Sequence, residues 1–184
     1  VKPLLRFDRA RCVRGGRLLF DDLSLEVGAG EALLVTGPNG SGKSSLIRLA
    51  AGLLRAERGT VERAPAALAD DALALDRERS LRAALQFWIG EAADDALEQL
   101  GLSPLAEVPV RHLSAGQRKR ASLARVAGSG APLWLLDEPL NGLDAASVDL
   151  AQDLIAAHVD RGGGVVAASH LPIAGAWDHL ELGR

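Results

Sequence analysis

Apolar and polar residues alternate in short bursts through the first 36 positions: LLRF, then RLLF after Gly15 and Gly16, then LSLEV, then EALLVT after GAG. Short runs punctuated by glycine predict strands of a sheet. The stretch ALLVT (32–36) is apolar without a break, as expected of a strand covered on both faces. A glycine-rich loop follows, and then KSSLIRLAAGLL (43–54), in which Leu46, Ile47, Ala50, Leu53 and Leu54 share one helical face. Residues 55–76 are Ala-rich with weak periodicity, and 77–100 read as one or two helices. Ser114 opens a helix reaching to about Gly128, LWLLD (133–137) is a buried strand, Asp144 caps a helix to about Val159, and GVVAAS (164–169) is another buried strand. Helices alternating with buried strands predict an α/β domain: a largely parallel sheet, an antiparallel N-terminal piece, and a helical subdomain at 77–128. The whole chain, 1–184, reads as a single domain.

Composition removes several classes of function. The formal net charge of -3 supplies no basic field for nucleic acid, although Arg118, Lys119 and Arg120 form a local patch, read as a solvated or interface face. One cysteine, Cys12, excludes an internal disulfide framework and a cysteine-based metal cluster, and is read as a small buried residue. Apolar runs break well before the roughly 18 residues of a membrane span, and the N-terminal segment lacks the plan of a signal peptide.

Chemistry enters with GPNGSGKS at 37–44, which matches G-x-x-x-x-G-K-[ST] between a buried strand and an amphipathic helix. Gly37, Gly40 and Gly42 let the backbone wrap, with Pro38, Asn39, Ser41 and Ser45 completing the loop, so that N–H groups and the helix N-terminus converge on an anion. Lys43 adds a full charge toward the β and γ phosphates, and the Ser44 hydroxyl is a Mg²⁺ ligand. ATP with Mg²⁺ is the expected ligand pair. LWLLDEP ends an apolar strand in two carboxylates, tolerated only where the strand meets solvent or a cation. Asp137 is the second expected metal residue, and Glu138 the group that polarises the attacking water. His170 also follows a buried strand, whereas His112, His158 and His179 are read as structural. In LSAGQ, Ser114 and Gln117 form a capping box, which leaves Gly116 unexplained; glycine in a first helical turn gives room to an approaching phosphate.

In their order, GPNGSGKS, LSAGQRKR, LWLLDEP, NGLD and ASH resemble the motifs of the ATP-binding cassette (ABC) family across residues 37–170. The resemblance implies a P-loop NTPase fold, an ABC-type nucleotide-binding domain. It implies a homodimer in which Ser114 and Gly116 face the partner's ATP, Asp144 lies in the loop crossing the interface, and His170 contacts the γ phosphate. The family stacks adenine on an aromatic residue; here register places Arg14, whose guanidinium can also stack. The family's glutamine between the phosphate loop and the helical insertion is missing from ALADDALALDRERSLR (67–82), with Asp70 or Asp71 as substitutes. Within the family the chain most resembles the ATP-binding subunits of Ccm-type haem exporters of cytochrome c maturation. That likeness implies a peripheral subunit on the cytoplasmic face of a bacterial inner membrane, working with integral membrane permease subunits and no nucleic acid. Other readings are the ATPase of a different small-substrate exporter, a soluble ABC ATPase acting on nucleic acid or the ribosome, and a nucleotide sensor.

Overall fold

The computed structural model describes residues 2–72 and 74–183; Leu73, within the glutamine-free segment, lies outside the described residues. Strands β1 (Leu5–Arg14) and β2 (Arg17–Val27) form a hairpin turned by Gly15 and Gly16 at φ 55° and 78°. Two successive positive φ values give the turn whose twist suits the flanking strands, a conformation glycine adopts without strain. RLLF and LSLEV, expected as two strands, are one: β2 bends through Asp22, at φ 53°, where its pairing with β1 shifts register. After β3 (Ala32–Thr36) and helix α1 (Lys43–Ala50), β4 (Arg58–Arg63) pairs with the other edge of β1, giving the antiparallel order β2-β1-β4. The helix ends earlier than the apolar pattern indicated: Gly52 takes φ 75°, and Leu53, assigned above to the apolar face, is exposed.

A second, parallel sheet has the order β5-β6-β7-β3-β8, built from β5 (Ala66–Ala69), β6 (Leu133–Asp137), β7 (Gly164–Ala168), β3 and β8 (Asp178–Glu181). Its central strands are buried on both faces, and side-chain alternation sorts them between two cores. Ala32, Leu34, Trp134, Leu136, Val165 and Ala167 point to one. That face packs against α2 (Leu81–Ile89), α3 (Ala93–Gln99), α4 (Ala115–Ala127) and α5 (Ala145–Asp160). Leu33, Val35, Leu133, Leu135, Val166 and Ala168 point to the other, against α1 and the antiparallel sheet. Continuous apolar runs are thus what a strand between two cores requires.

β4, β5 and β8 carry weaker patterns. β4 presents one half-buried apolar side chain, Val61, among exposed neighbours, and β5 is AALA, with Leu68 its one bulky residue. All five parallel strands deliver their C-terminal ends to one edge, where loops gather in folds of this kind.

Candidate nucleotide site

At that edge Gly37 leaves β3 at φ 138°, and Gly40 and Gly42 take φ 79° and 109°. The turn at Gly37 has no space for a side chain: a Cβ would lie 2.3 Å from the Leu182 carbonyl oxygen and 2.8 Å from Ser41 Oγ. Gly42 is the N-cap of α1 and has no side chain to satisfy the helix's first N–H groups, which stay available to an anion. Lys43 is buried, and its ammonium donates to the Gly37 and Pro38 carbonyls at 2.8 and 3.2 Å, which folds the side chain back along the loop. Among buried side-chain atoms, Ser41 Oγ has no hydrogen-bond partner.

Arg14, Leu19, Asn39, Lys43, Glu138 and His170 share an open cleft of about 560 Å³ that Gly40, Gly42, Ser44, Ser45 and Asn141 also line. The structure therefore brings Arg14, the loop, Glu138 and His170 together. The Ser44 hydroxyl lies close enough to the Asp137 carboxylate to act on its ionisation, which brings the two expected metal residues together. Burial pushes the Asp137 carboxyl above its usual range; Ser44 opposes this, while Asp71 and Glu138 add to it. A hydroxyl beside a half-buried carboxylate with acid neighbours is an oxygen donor set suited to Mg²⁺.

Glu138 follows at φ 50°, in the left-handed region, its N–H donating to Ala168 at 2.8 Å. Its carboxylate accepts from the His170 N–H at 3.3 Å and lies 3.4 Å from His170 Nε2. The unusual backbone turn aims the acid across the end of β7 instead of along its own strand.

Ser114 and Gln117 form a complete capping box: the Ser114 hydroxyl accepts from Gln117 N at 3.2 Å, and the Gln117 amide oxygen accepts from Ser114 N at 2.8 Å. Ser114 is exposed and, with Gly116, does not line the Lys43 cleft. Gly116 has a reason within the fold as well, since a Cβ there would lie 3.2 Å from the Gly142 carbonyl. Asp144 is exposed and caps α5, accepting from Ser147 N at 2.8 Å; the Ser147 hydroxyl and then this N–H hold its carboxyl below the usual range.

The basic run after the signature is not a solvated face. Arg118 donates to the Leu113 carbonyl, Lys119 pairs with Asp71 at 3.2 Å, and Arg120 donates to the Leu100 carbonyl at 2.9 Å. The two arginines are directed into the fold, where carbonyls at loop and helix ends need donors, and Lys119 toward the exposed Asp71 carboxylate. Sequence reasoning also missed the 178–183 segment, whose Leu182 carbonyl and Gly183 abut the phosphate loop. Alternation of Leu180 and Leu182 with charged residues ahead of Gly183 was the available signal. Cys12 is buried, and burial raises its thiol pKa.

Phosphate loop, paired carboxylates and signature helix on this two-sheet scaffold define an ATP-binding cassette, and the sequence model of the ABC transporter family matches residues 20–141; the chain belongs to that family. It is an ATP-hydrolysing subunit of the ABC type. It is 53% identical over 178 residues to a protein of Sphingopyxis alaskensis named cytochrome c biogenesis ATP-binding export protein CcmA, covering 93% of this chain and 92% of that one. A protein of Novosphingobium aromaticivorans with the same name is 60% identical over 166 residues, covering 89% and 86%. Among solved structures, an ATP-binding subunit of an ABC transporter superposes with a TM-score of 0.83 at 21% identity, covering 91% of this chain and 80% of that one. A nucleotide-free ATP-binding cassette gives 0.75 at 22% identity, with 92% and 82% covered; both likenesses concern the fold alone.

Proposed function

We propose that this chain is the motor subunit of a haem exporter of cytochrome c maturation. In that role two copies close on two ATP molecules and pass the movement to integral membrane permease subunits, releasing the haem chaperone with its haem. The observation that carries the ATPase reading is the convergence of Lys43, Glu138 and His170 on one cleft beside the Ser44–Asp137 pair. The haem assignment is carried by whole-chain likeness to the relatives named above.

Lys43 and the open N-terminus of α1 hold the phosphates, and Arg14 stacks on the adenine across the cleft. Glu138 orients the attacking water and takes its proton as the γ-phosphoryl group leaves ADP; His170 keeps that carboxylate in place and meets the γ phosphate. Mg²⁺, held by Ser44 and Asp137, would supply neutralisation of charge on the β- and γ-phosphate oxygens. Ser114 and Gly116 serve the partner copy's ATP, and Asp144 lies in the loop crossing between the copies. No helix among the described residues is long and apolar enough to cross a membrane; likeness to the relatives named above supports a peripheral subunit on the cytoplasmic face of the inner membrane.

The test is a mild-detergent pull-down of the tagged chain from host membranes, with mass spectrometry of what co-elutes. Recovery of multi-spanning subunits of cytochrome c maturation supports the proposal. A different permease leaves the ATPase and removes haem, and recovery of ribosomal or DNA-bound proteins alone removes the membrane role.

A further inference from the structure

We propose that the Lys119–Asp71 ion pair is a clamp that positions the signature helix against the metal-binding edge of the sheet, in place of the glutamine missing from 67–82. The proposal rests on the cassette-dimer reading above. β5 ends at Ala69 in register with Leu136, so the chain leaves the sheet beside Asp137. Asp70 Oδ1 accepts from Ala72 N at 3.1 Å, a local turn that fixes the path of the backbone through Asp71. Asp71 then reaches α4, where its Oδ1 lies 3.2 Å from Lys119 Nζ, and it stays near enough to Asp137 to push that carboxyl up.

The two partners are unlike. The Lys119 side chain is 12% exposed and that of Asp71 93% exposed, so the lysine has given up most of its water while the aspartate has given up little. A desolvated ammonium needs its counter-charge in a fixed place, and Lys119 stands four positions after Ala115, one turn beyond Ser114 and Gly116. A second tie acts at the far end of the same helix: Arg125 Nη2 donates to the Leu68 carbonyl, and its guanidinium lies 5.3 Å from the Trp88 ring. Helix α4 is thus fastened by cations at two points, to β5 through Leu68 and to the segment just beyond it through Asp71.

Between helix and strand end is a cleft of about 250 Å³ lined by Asp70, Asp71, Lys119, Ser122, Asn141 and Gly142. Ser122 is buried there with its hydroxyl unpartnered. Apolar packing of Leu113, Ala121 and Leu123 holds α4 in the core, and at this cleft, where packing is open, polar contacts add the fine adjustment of its N-terminal end. With the Asp71 end of the pair open to water, the pair adds little to stability. A small displacement of a group that must meet a phosphate is costly to rate, on the order of 10²-fold for about 1 Å.

The experiment measures Mg²⁺-dependent ATP turnover of the full chain, thermal stability, and affinity for a fluorescent ATP analogue. The variants are Lys119→Gln, Asp71→Asn, their combination, and Lys119→Arg. Each neutral single variant should lose about fivefold or more in kcat, with KM, analogue affinity and melting temperature unchanged. The double variant should lose no more than the worse single, and Lys119→Arg should retain turnover. Wild-type kcat in the neutral variants, losses that multiply in the double, or Lys119→Arg as impaired as Lys119→Gln would each overturn the clamp. Wild-type turnover in the same assay reports on the cassette reading by itself, so the two failures are separable.

Discussion

The φ of 50° at Glu138 makes a stability statement that can be isolated from catalysis. With φ positive, an L side chain crowds the following carbonyl at a cost of about 1–2 kcal/mol, which glycine escapes. Glu138→Ala and Glu138→Gly both remove the carboxylate and its contacts with His170, so their difference reports the backbone alone. At an ordinary position glycine is about 0.5–1 kcal/mol less stable than alanine. Here the order should invert, with Glu138→Gly the more stable by roughly 0.5–1 kcal/mol once that entropic penalty is subtracted. In a chain of this length that corresponds to a melting temperature higher by about 1–4 °C. Urea denaturation of the two variants, checked by thermal melting, measures it, and turnover should fall about 10²–10⁴-fold in both. Alanine equal to or more stable than glycine would refute stored backbone strain at Glu138.

Gly37→Ala places a Cβ 2.3 Å from the Leu182 carbonyl at φ 138°, so it should cost about 2 kcal/mol or more and abolish binding of a fluorescent ATP analogue; retained affinity would contradict the packed loop. His158 is buried and stacked on Trp134 with ring centroids 3.8 Å apart, and burial lowers its pKa from the ordinary 6.5. The unfolded chain therefore takes up a proton that the folded chain resists. This part of the stability is complete above pH about 6.5 and is lost as pH falls below that value through the lowered pKa of the folded state. A His158→Phe variant should lose that portion of the pH dependence in denaturation curves, and identical slopes would show that His158 is not desolvated. Ser114→Arg should leave ATP binding by the monomer intact while abolishing turnover; normal turnover would reduce the signature to a capped helix start.

The central strands β3, β6 and β7 were legible because each lies between two cores and so is an unbroken apolar run up to its C-terminal end. The phosphate loop and the strand-end acids were legible because charge at the end of such a strand has few explanations other than a ligand. β4 and β5 were not, since an edge strand with one half-buried valine and a strand of alanines and one leucine carry little periodic signal. The basic run at 118–120 misled for a different reason: a guanidinium that satisfies a buried carbonyl and one that faces water look alike in sequence. Gly116 was read as room for a phosphate, and the close Gly142 carbonyl shows that one missing Cβ can serve both the fold and a ligand. Contacts such as Glu138 with His170, set by a single backbone dihedral, had no counterpart in spacing.

The most direct measurement is the mass of Glu138→Gln in solution with and without Mg²⁺-ATP, by sedimentation. If two copies pair as proposed, with each signature helix completing the other's site, the mass shifts from the 19.2 kDa monomer to a species of twice that mass with nucleotide retained. A variant that binds ATP tightly and stays a monomer would contradict it.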